Sequence, residues 1–348
     1  MAIVKDTDPM HHALTLTSRG LGRVAPNPAV GCVIVKDERV VGRGWTQPGG
    51  RPHAEVVALK QAGEAARGAT VYVTLEPCAH LGQTPPCAEA LIKAGVARVV
   101  AAVEDPDPRV KGGGFKMLRD AGIEVVTGVL EKEAAHLNAG FFLRIKEKRP
   151  LVTIKLARSA DNKTVAPDKW ITGEEARRFG HLLRAQSDAI LIGIGTALAD
   201  DPMLDCRLPG LQDRSPIRVV LDTHLRLPQS AKLVQTAKQI PTLVFTASDG
   251  GAALRKHGVE IVPVAQGTVD PLAVLHALAA RGITRLLIEG GAIVASAFLA
   301  LSDRLEIFTA PMVLGVNGSG EWPDPPDFMR ISERALGPDM LVSFARNS

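Results

Sequence analysis

Residues 70–95 read TVYVTLEPCAHLGQTPPCAEALIKAG, and this stretch contains a strand pattern, a short loop and a helix pattern in succession. The β-branched run TVYVTL predicts a buried strand, and the apolar spacing after Pro86 predicts a helix that begins at Cys87. Cys78 and Cys87 therefore lie at the two ends of the loop. In a long chain with only four cysteines, such a pair binds metal more often than it belongs to a disulfide framework.

A histidine and a glutamate stand upstream of this loop. His53-Ala54-Glu55 opens the helix pattern HAEVVALKQAGEAA, directly after a loop rich in Gly and Pro. One imidazole and two thiolates occupy three positions of a zinc tetrahedron and leave the fourth for water, which is the arrangement of a catalytic site. Zinc lowers the pKa of a bound water to about 7, and a nearby carboxylate can then move protons. We expect His53, Cys78 and Cys87 to bind Zn²⁺ and Glu55 to be the catalytic proton shuttle.

The rest of the chain predicts two α/β domains. From Ala29 to Val129, Val-rich runs alternate with helix patterns, as in a sheet covered by helices. The charged segment 142–149 is followed by Pro150, which disfavours helix at the preceding residue. A second alternating series begins at Leu151. We predict a boundary near Arg149, with domains at residues 1–149 and 150–348.

The composition disfavours several classes of protein. The net charge of +4 comes without the runs of Lys and Arg that follow a phosphate backbone, which disfavours nucleic acid as a partner. The sequence has neither an apolar run of about eighteen residues nor the apolar core of a signal peptide, so we expect a cytoplasmic protein without membrane partners. Cys32 and Cys206 are expected to be structural, and His11 and His12 to lie on the surface near a flexible terminus.

The predicted metal ligands match the zinc nucleobase deaminase signature of H-x-E followed by P-C-x-x-C, except that eight residues separate Cys78 from Cys87. HAE and TLEPCAHLGQTPPC, with Pro26-Asn27-Pro28 and VGCVIV upstream, resemble the pyrimidine deaminase half of the bifunctional deaminase-reductase family of riboflavin biosynthesis, in which this loop is longer. The resemblance implies a cytidine-deaminase-like three-layer α/β/α domain. It also implies that Asn27 and His80 contact the substrate.

The second half contains a glycine pair directly after a strand pattern, in LLIEGG, and a helix pattern follows. Bare backbone amides at such a helix start suit a cofactor phosphate. A second glycine pair, in AILIGIGTALADDP, lacks the third glycine of a dinucleotide-binding Rossmann unit, so a Rossmann fold is not predicted. KLARS, KWIT, LLRAQSDAILIG, TALADDPMLDCR and IEGG instead resemble the reductase half of the same family, which implies a dihydrofolate-reductase-like α/β domain that binds NADPH.

The resemblance assigns residues to two binding sites in the second domain. Those implied to contact NADPH are Ala157, Trp170, Thr196, Asp200, Thr223, Gly291, Ala292, Ile293, Val294, Ala295, Ser296 and Ala297. Those implied to contact the substrate are Asp168, Arg184, Leu204, Arg207 and Glu289. Guanidinium groups can grip a ribose phosphate, and a glutamate can orient sugar hydroxyls. The sequence departs from the family pattern at residues 159–162, SADN where SLDG is usual, and at Asp168, where a serine is usual in a longer loop.

These resemblances imply two successive reactions. Zinc-dependent hydrolytic deamination of 2,5-diamino-6-(5-phosphoribosylamino)pyrimidin-4-one would precede NADPH reduction of 5-amino-6-(5-phosphoribosylamino)uracil to the ribitylamino product, in a homo-oligomer that is a dimer or tetramer. One alternative is another zinc deaminase, acting on a nucleoside, tRNA or free base, with an unrelated C-terminal domain. A second alternative is a zinc-stabilised binding module without turnover, in which a protein ligand fills the fourth zinc position.

Overall fold

The computed structural model describes residues 6–81, 85–166, 170–264, 267, 269–322 and 326–347. The chain divides into two compact units, Met1–Glu147 and Lys148–Ser348. Each unit contains a β-sheet with helices packed against it. Among the described residues, no helix combines the length and the apolar character needed to cross a membrane.

The first unit alternates helices with short strands. In chain order its elements are α1 (Thr7–Thr17), β1 (Gly31–Lys36), β2 (Arg39–Trp45), α2 (Ala54–Ala62), β3 (Thr70–Val73), α3 (Cys87–Ala94), β4 (Arg98–Ala101), α4 (Gly113–Asp120), β5 (Glu124–Thr127), α5 (Glu131–Leu137) and α6 (Ala139–Glu147).

The sheet of the first unit has the strand order β2-β1-β3-β4-β5. β1 is antiparallel to both β2 and β3, whereas β3, β4 and β5 run parallel. Val33, Val71 and Val99 are fully buried at its centre, as the Val-rich runs predict. The helices form two groups, because α1 contacts α5 while α3 contacts α2 and α4.

The edge strand β2 was not predicted from the sequence, because its apolar residues are exposed or interrupted by glycines. Those glycines serve the packing of α2 against the sheet. A Cβ at Gly42 would lie 2.3 Å from the carbonyl oxygen of Ala58, and one at Gly44 would lie 2.1 Å from that of Ala54. Only residues without a side chain allow α2 to approach this closely. The start of α2, directly after His53, is thereby fixed against the sheet.

His11 and His12 lie on helix α1, which begins at Thr7. Met10 and Leu14 on the same helix are buried, which anchors α1 on the sheet by apolar contacts. His11 is exposed, as expected, and His12 is half-buried.

The second unit is larger and contains more strands. In chain order its elements are β6 (Leu151–Arg158), β7 (Lys163–Val165), α7 (Glu174–Ala185), β8 (Ala189–Gly193), α8 (Ile194–Asp200), β9 (Ile217–Leu221), α9 (Lys232–Gln235), β10 (Thr242–Thr246), α10 (Ala252–Lys256), β11 (Glu260–Pro263), α11 (Pro271–Ala280), β12 (Arg285–Ile288), α12 (Ala292–Leu299), β13 (Arg304–Thr309), β14 (Ser319–Glu321), β15 (Phe328–Leu336) and β16 (Asp339–Arg346).

Nine of these strands form one sheet in the order β11-β10-β9-β8-β12-β6-β13-β16-β15, and β7 pairs separately with β14. The strands from β11 to β13 are parallel, and β16 and β15 extend the sheet as an antiparallel hairpin. The carboxyl ends of β6, β8, β9 and β12 therefore meet at one edge of the sheet. Ligands of α/β proteins bind at this edge.

Candidate functional site

The three predicted metal ligands lie together in the first unit. His53 is the residue before α2, Cys78 follows β3, and Cys87 is the first residue of α3. His53 Nδ1 is 3.3 Å from Cys87 Sγ and 3.7 Å from Cys78 Sγ. Their possible ligand atoms all lie within 4.8 Å of one another, and no disulfide joins the two described thiols.

This donor set fits a zinc ion. Bond lengths of about 2.3 Å to sulfur and 2.1 Å to nitrogen at a tetrahedral angle separate the two donor atoms by about 3.6 Å. The two observed nitrogen–sulfur distances, 3.3 and 3.7 Å, bracket that value. The backbone N–H of Cys87 also donates to Cys78 Sγ at 3.2 Å. A hydrogen bond from the Cys87 thiol is the main cause that lowers the pKa of Cys78 to about 4, so Cys78 is a thiolate at neutral pH.

Glu55 lies in the first turn of α2, beside the ligand cluster, and only 3% of its surface is exposed. Burial, with the negative charge of Cys78, raises the pKa of Glu55 to about 7 against the opposing effect of His53. A carboxyl group whose pKa lies near neutrality can both accept and return a proton. The local structure therefore suits Glu55 to general acid–base chemistry.

His53, Glu55 and Cys78 open into a cavity of about 320 Å³. Both residues that were implied to contact the substrate in this unit, Asn27 and His80, line the same cavity. The side-chain amide of Asn27 donates to the carbonyl oxygen of Gly50 at 2.9 Å, which orients it. His80 Nδ1 is buried and has no hydrogen-bond partner among the described residues. A polar ligand in the cavity can provide that partner.

The cavity also contains charged residues that the sequence patterns did not single out. Asp105, Asp107 and Arg109 follow β4, and Arg144 lies on α6. A signal for the first three existed, since β4 runs parallel to β3 and both strands end at the same edge of the sheet. Residues after β4 therefore meet the loop that carries Cys78.

In the second unit, Arg184 and Glu289 form a buried two-point ion pair. Arg184 Nε and Nη2 donate to the two carboxylate oxygens of Glu289 at 2.8 and 2.9 Å. Burial alone would raise the pKa of Glu289, but the Arg184 charge and hydrogen bonds outweigh it and bring the pKa to about 2. Lys155 on β6 is electrostatically coupled to both, and burial lowers its pKa. Glu289 is therefore an anion held in a fixed orientation.

The remaining predicted substrate residues lie near this pair or on the surface. Arg184 Nη1 donates to the carbonyl oxygen of Asp205 at 3.0 Å, next to the buried Leu204. The side chain of Arg207 is 65% exposed and lines a groove of about 670 Å³. That groove includes the predicted NADPH residue Trp170 and four titratable residues that were not predicted: Glu174, Arg177, Arg178 and His181. Asp168 lies outside the described residues.

Several predicted NADPH residues meet where β12 ends and α12 begins. The backbone N–H of Gly291 donates to Thr196 Oγ1 at 3.2 Å. Val294 packs on the two neighbouring glycines, since a Cβ at Gly193 or Gly290 would lie 2.7 or 2.8 Å from its side chain. The residues of the helix start differ in exposure: Gly291, Ala292, Ile293, Ser296 and Ala297 are exposed, Val294 is half-buried and Ala295 is fully buried. The other predicted NADPH residues lie on neighbouring elements: Ala157 on β6, Asp200 at the end of α8 and Thr223 after β9.

The exposed turn before α12 fits a nucleotide cofactor. Gly291 and Ile293 are both exposed, and 88% of the surface of Ile293 is accessible. A Cβ at Gly291 would meet nothing nearer than Thr196 Oγ1 at 3.7 Å, so the approach to the helix N-terminus is open. Helix N-termini attract phosphate groups through their backbone amides.

Two family models match the chain. Residues 4–103 match the "Cytidine and deoxycytidylate deaminase zinc-binding region", and residues 150–336 match the "RibD C-terminal domain". The predicted fold class, a cytidine-deaminase-like domain followed by a reductase-type α/β domain, is thereby confirmed, and the two domains imply Zn²⁺ and NADPH as cofactors. The alternative of an unrelated C-terminal domain is wrong, because more than half of the chain matches the second model.

Several known proteins align with nearly the full length of this chain. "Riboflavin biosynthesis protein RibD" of Escherichia coli (strain K12) is 41% identical over 96% of this chain and 97% of its own length, and that of Aquifex aeolicus (strain VF5) is 42% identical over 89% and 88%. The structure of Acinetobacter baumannii RibD superposes with a TM-score of 0.88 at 39% identity, covering 99% of each chain. A Thermotoga maritima structure, described as a diaminohydroxyphosphoribosylaminopyrimidine deaminase/5-amino-6-(5-phosphoribosylamino)uracil reductase, gives 0.89 at 36% identity over 98% and 99%. The chain belongs to the RibD family.

Proposed function

We propose that this chain catalyses two successive steps of riboflavin biosynthesis, a hydrolytic deamination in the first unit and an NADPH-dependent reduction in the second. The substrate is 2,5-diamino-6-(5-phosphoribosylamino)pyrimidin-4-one. Its deamination product, 5-amino-6-(5-phosphoribosylamino)uracil, is then reduced from the ribosyl to the ribityl form. The cluster of His53, Cys78 and Cys87 beside Glu55 carries the proposal, and the activities named for the Thermotoga maritima relative support it.

In the deaminase reaction, water replaces the amino group on the pyrimidine ring. A zinc ion held by the ligand cluster would supply the Lewis acidity that lowers the pKa of water. Glu55 accepts a proton from the attacking water and delivers it to the ring nitrogen, and it then passes the proton of the newly added hydroxyl to the departing amino group. Ammonia leaves, and a carbonyl remains where the amine was. Asn27 and His80 line the cavity from the substrate side and orient the ring.

In the reductase reaction, NADPH would supply a hydride to C1 of the ribosyl group, the bond from C1 to the ring oxygen would break, and that oxygen would take up a proton to become a hydroxyl. The protein contributes position and electrostatics. Thr196 and the turn at Gly291 would hold the cofactor at the start of α12, and Glu289, kept ionised and oriented by Arg184, would orient the sugar hydroxyls. Arg207, with Arg177 and Arg178 in the same groove, would offset the charge of the substrate phosphate.

The protein is further proposed to act in the cytoplasm as a homo-oligomer. Its substrates are small phosphorylated molecules, and the resemblance to the family implies a dimer or tetramer. Light scattering coupled to gel filtration measures the mass, and a species at the monomer mass of 36.9 kDa contradicts the assembly.

The experiment that tests both reactions uses the purified zinc-loaded chain and the diaminopyrimidine phosphate. Ammonia release is followed by a coupled assay, and NADPH oxidation by absorbance. Ammonia is expected with or without NADPH, whereas NADPH oxidation follows only after deamination. Absence of ammonia from a chain that contains one zinc ion contradicts the proposed deaminase. Absence of NADPH oxidation when the deaminated intermediate is supplied directly contradicts the proposed reductase.

A further inference from the structure

A buried glutamate that the deaminase chemistry leaves without a role stands two residues before Cys78. Glu76 is 3% exposed, and both oxygens of its carboxylate accept hydrogen bonds from backbone N–H groups beyond β4. The four donors are Asp105 at 3.3 Å and Gly112 at 3.0 Å on Oε2, and Gly114 at 2.9 Å and Phe115 at 3.3 Å on Oε1. All four of these donors lie in one stretch of chain, residues 105–115.

That stretch has no regular structure before α4 begins at Gly113, so its shape depends on such contacts. Asp105 Oδ1 accepts from the backbone N–H of Asp107 at 2.8 Å, and Asp107 Oδ1 accepts from that of Arg109 at 3.0 Å. The guanidinium of Arg109 also bonds to the Asp107 carboxylate. Backbone N–H groups of this segment therefore donate in succession to the carboxylates of Glu76, Asp105 and Asp107, and these hydrogen bonds determine its shape.

The start of α4 lies directly against the Glu76 end of the Cys78 loop. A Cβ at Gly114 would lie 1.9 Å from the carbonyl oxygen of Pro77, which shows how closely the two backbones approach. The backbone N–H of Glu76 in addition donates to the carbonyl oxygen of Val103 at 2.9 Å. Glu76 therefore holds the segment after β4 on both sides of Asp105.

The segment forms one wall of the deaminase cavity. Asp105, Asp107, Arg109 and Val110 line it together with Cys78. Glu76 also borders the cavity, but both of its carboxylate oxygens accept from the backbone of the segment. Asp105 and Asp107 are 5% and 6% exposed, so their carboxylates cannot move independently of the backbone that carries them. The position of this wall relative to the metal ligands is consequently set at Glu76.

We propose that Glu76 is a positioning residue of the deaminase, which holds residues 105–110 against the Cys78 loop and thereby fixes the wall that contacts the phosphoribosylaminopyrimidine. The inference rests on the proposed function of the first unit. Glu76 acts on substrate binding through this wall and leaves the metal ligands in place. It is therefore distinct from Glu55, which moves protons.

The test replaces Glu76 by glutamine. Glutamine replaces one carboxylate oxygen by an NH₂ group, which cannot accept from the two backbone N–H groups that face it. Two of the four hydrogen bonds are therefore lost, and the wall shifts. KM for the diaminopyrimidine phosphate is expected to rise about tenfold or more, while kcat falls by less than about threefold. Zinc content and the rate of NADPH oxidation on the deaminated intermediate stay at the wild-type level. The reductase rate also reports how much of the chain is folded.

Glu104→Gln is the matched control, because it makes the same change of charge and shape at an exposed neighbour in the same segment. It leaves KM unchanged. Glu76→Asp provides a second variant if Glu76→Gln does not fold. Aspartate keeps the charge, but its shorter side chain reaches only some of the four backbone N–H donors. KM is therefore expected to rise while zinc is retained.

The outcomes separate three cases. A raised KM in Glu76→Gln or Glu76→Asp, with zinc content and reductase rate retained, supports the proposal. A KM within twofold of wild type overturns it, as does a fall in kcat that parallels a loss of zinc or of folded chain with KM unchanged. If the wild-type protein releases no ammonia, the proposed deaminase itself is contradicted. If the wild type is active and Glu76→Gln has the same KM, only the role of Glu76 is contradicted.

Discussion

The guanidinium of Arg184 donates to both carboxylate oxygens of Glu289, with Nε and Nη2 at 2.8 and 2.9 Å. A third N–H of Arg184 donates to the carbonyl oxygen of Asp205. Since a guanidinium has five N–H groups, the three bonds within the described part of the chain leave two that could meet a substrate phosphate. The main consequence of Arg184 in this structure is the ionisation and orientation of Glu289. The role of Arg184 is therefore best tested by changing both residues of the pair as well as Arg184 alone.

Arg184→Met is expected to lower NADPH oxidation on the deaminated intermediate at least a hundredfold, because it leaves a buried carboxylate without its cation. Breaking a buried pair from one side costs about 3–5 kcal/mol. The double variant Arg184→Met with Glu289→Leu removes both charges, so thermal stability is expected to return while the activity stays lost. Differential scanning calorimetry and the NADPH assay check the two parts. Full reductase activity in Arg184→Met contradicts the assignment.

The same pair predicts how the reductase responds to pH. The pKa of Glu289 is lowered to about 2 in the folded protein, from an ordinary value near 4.3 in an unfolded chain. A lowered carboxyl pKa contributes stability that is complete above the unfolded value and is lost as pH falls towards 2. Between pH 5 and 9 this group therefore adds no slope to stability. Urea denaturation of wild type and Glu289→Gln from pH 5 to 9 checks this, and a difference in unfolding free energy between them that changes with pH over this range contradicts the prediction.

Glu55→Gln is expected to abolish ammonia release, by about a hundredfold or more, because the amide cannot accept and return the proton. Zinc content and NADPH oxidation on the deaminated intermediate should match wild type. The variant also decides between an enzyme and a zinc-stabilised binding module, since a module without turnover has no need of this carboxylate. Ammonia release at the wild-type rate removes Glu55 from the mechanism.

Cys78→Ser should reduce bound zinc from one equivalent per chain to a small fraction, because a hydroxyl replaces one of two thiolates in a three-residue ligand set. Cys206→Ser makes the same chemical change at a buried cysteine of the other unit and should retain the zinc. Zinc is measured by atomic emission after dialysis. Equal zinc in both variants shows that the metal is not held by this cluster.

The ligand set could be predicted because its residues occur at local boundaries between elements, where a strand ends or a helix begins. His53 precedes α2 and Cys87 starts α3, so the strand and helix patterns that predict these elements also locate the ligands. The glycine pair at Gly290 and Gly291 was found for the same reason. Such information is contained in short stretches of sequence.

Other features depend on contacts between distant stretches. Strand β2 has exposed residues at the sheet edge and lacks a continuous apolar pattern, so only its pairing with β1 and its packing against α2 define it. Glu76 belongs to the motif TLEPC, but its role depends on backbone N–H donors that lie 29–39 residues further along the chain. The ion pair of Arg184 with Glu289 spans 105 residues. No local pattern predicts which groups such side chains meet.

Gly291→Asp tests the cofactor site at the start of α12. The backbone at Gly291 has φ −62°, which any residue can adopt, and a Cβ there would lie in ordinary contact with Thr196 Oγ1 at 3.7 Å. Gly291→Ala should therefore fold normally and change NADPH affinity by less than about threefold, since steric strain is absent. An aspartate at the same position instead places a negative charge where a cofactor phosphate meets the helix N-terminus.

For Gly291→Asp we expect the Kd for NADPH to rise about tenfold or more, because repulsion replaces the favourable interaction of the phosphate with the backbone amides. Fluorescence titration of NADPH measures both variants, and ammonia release reports the intact first unit. A weakened Gly291→Ala together with an equally weakened Gly291→Asp attributes the loss to bulk rather than charge. If neither substitution changes the Kd, the cofactor binds elsewhere on the carboxyl edge of the sheet, because a nucleotide phosphate at this turn cannot be indifferent to an added carboxylate.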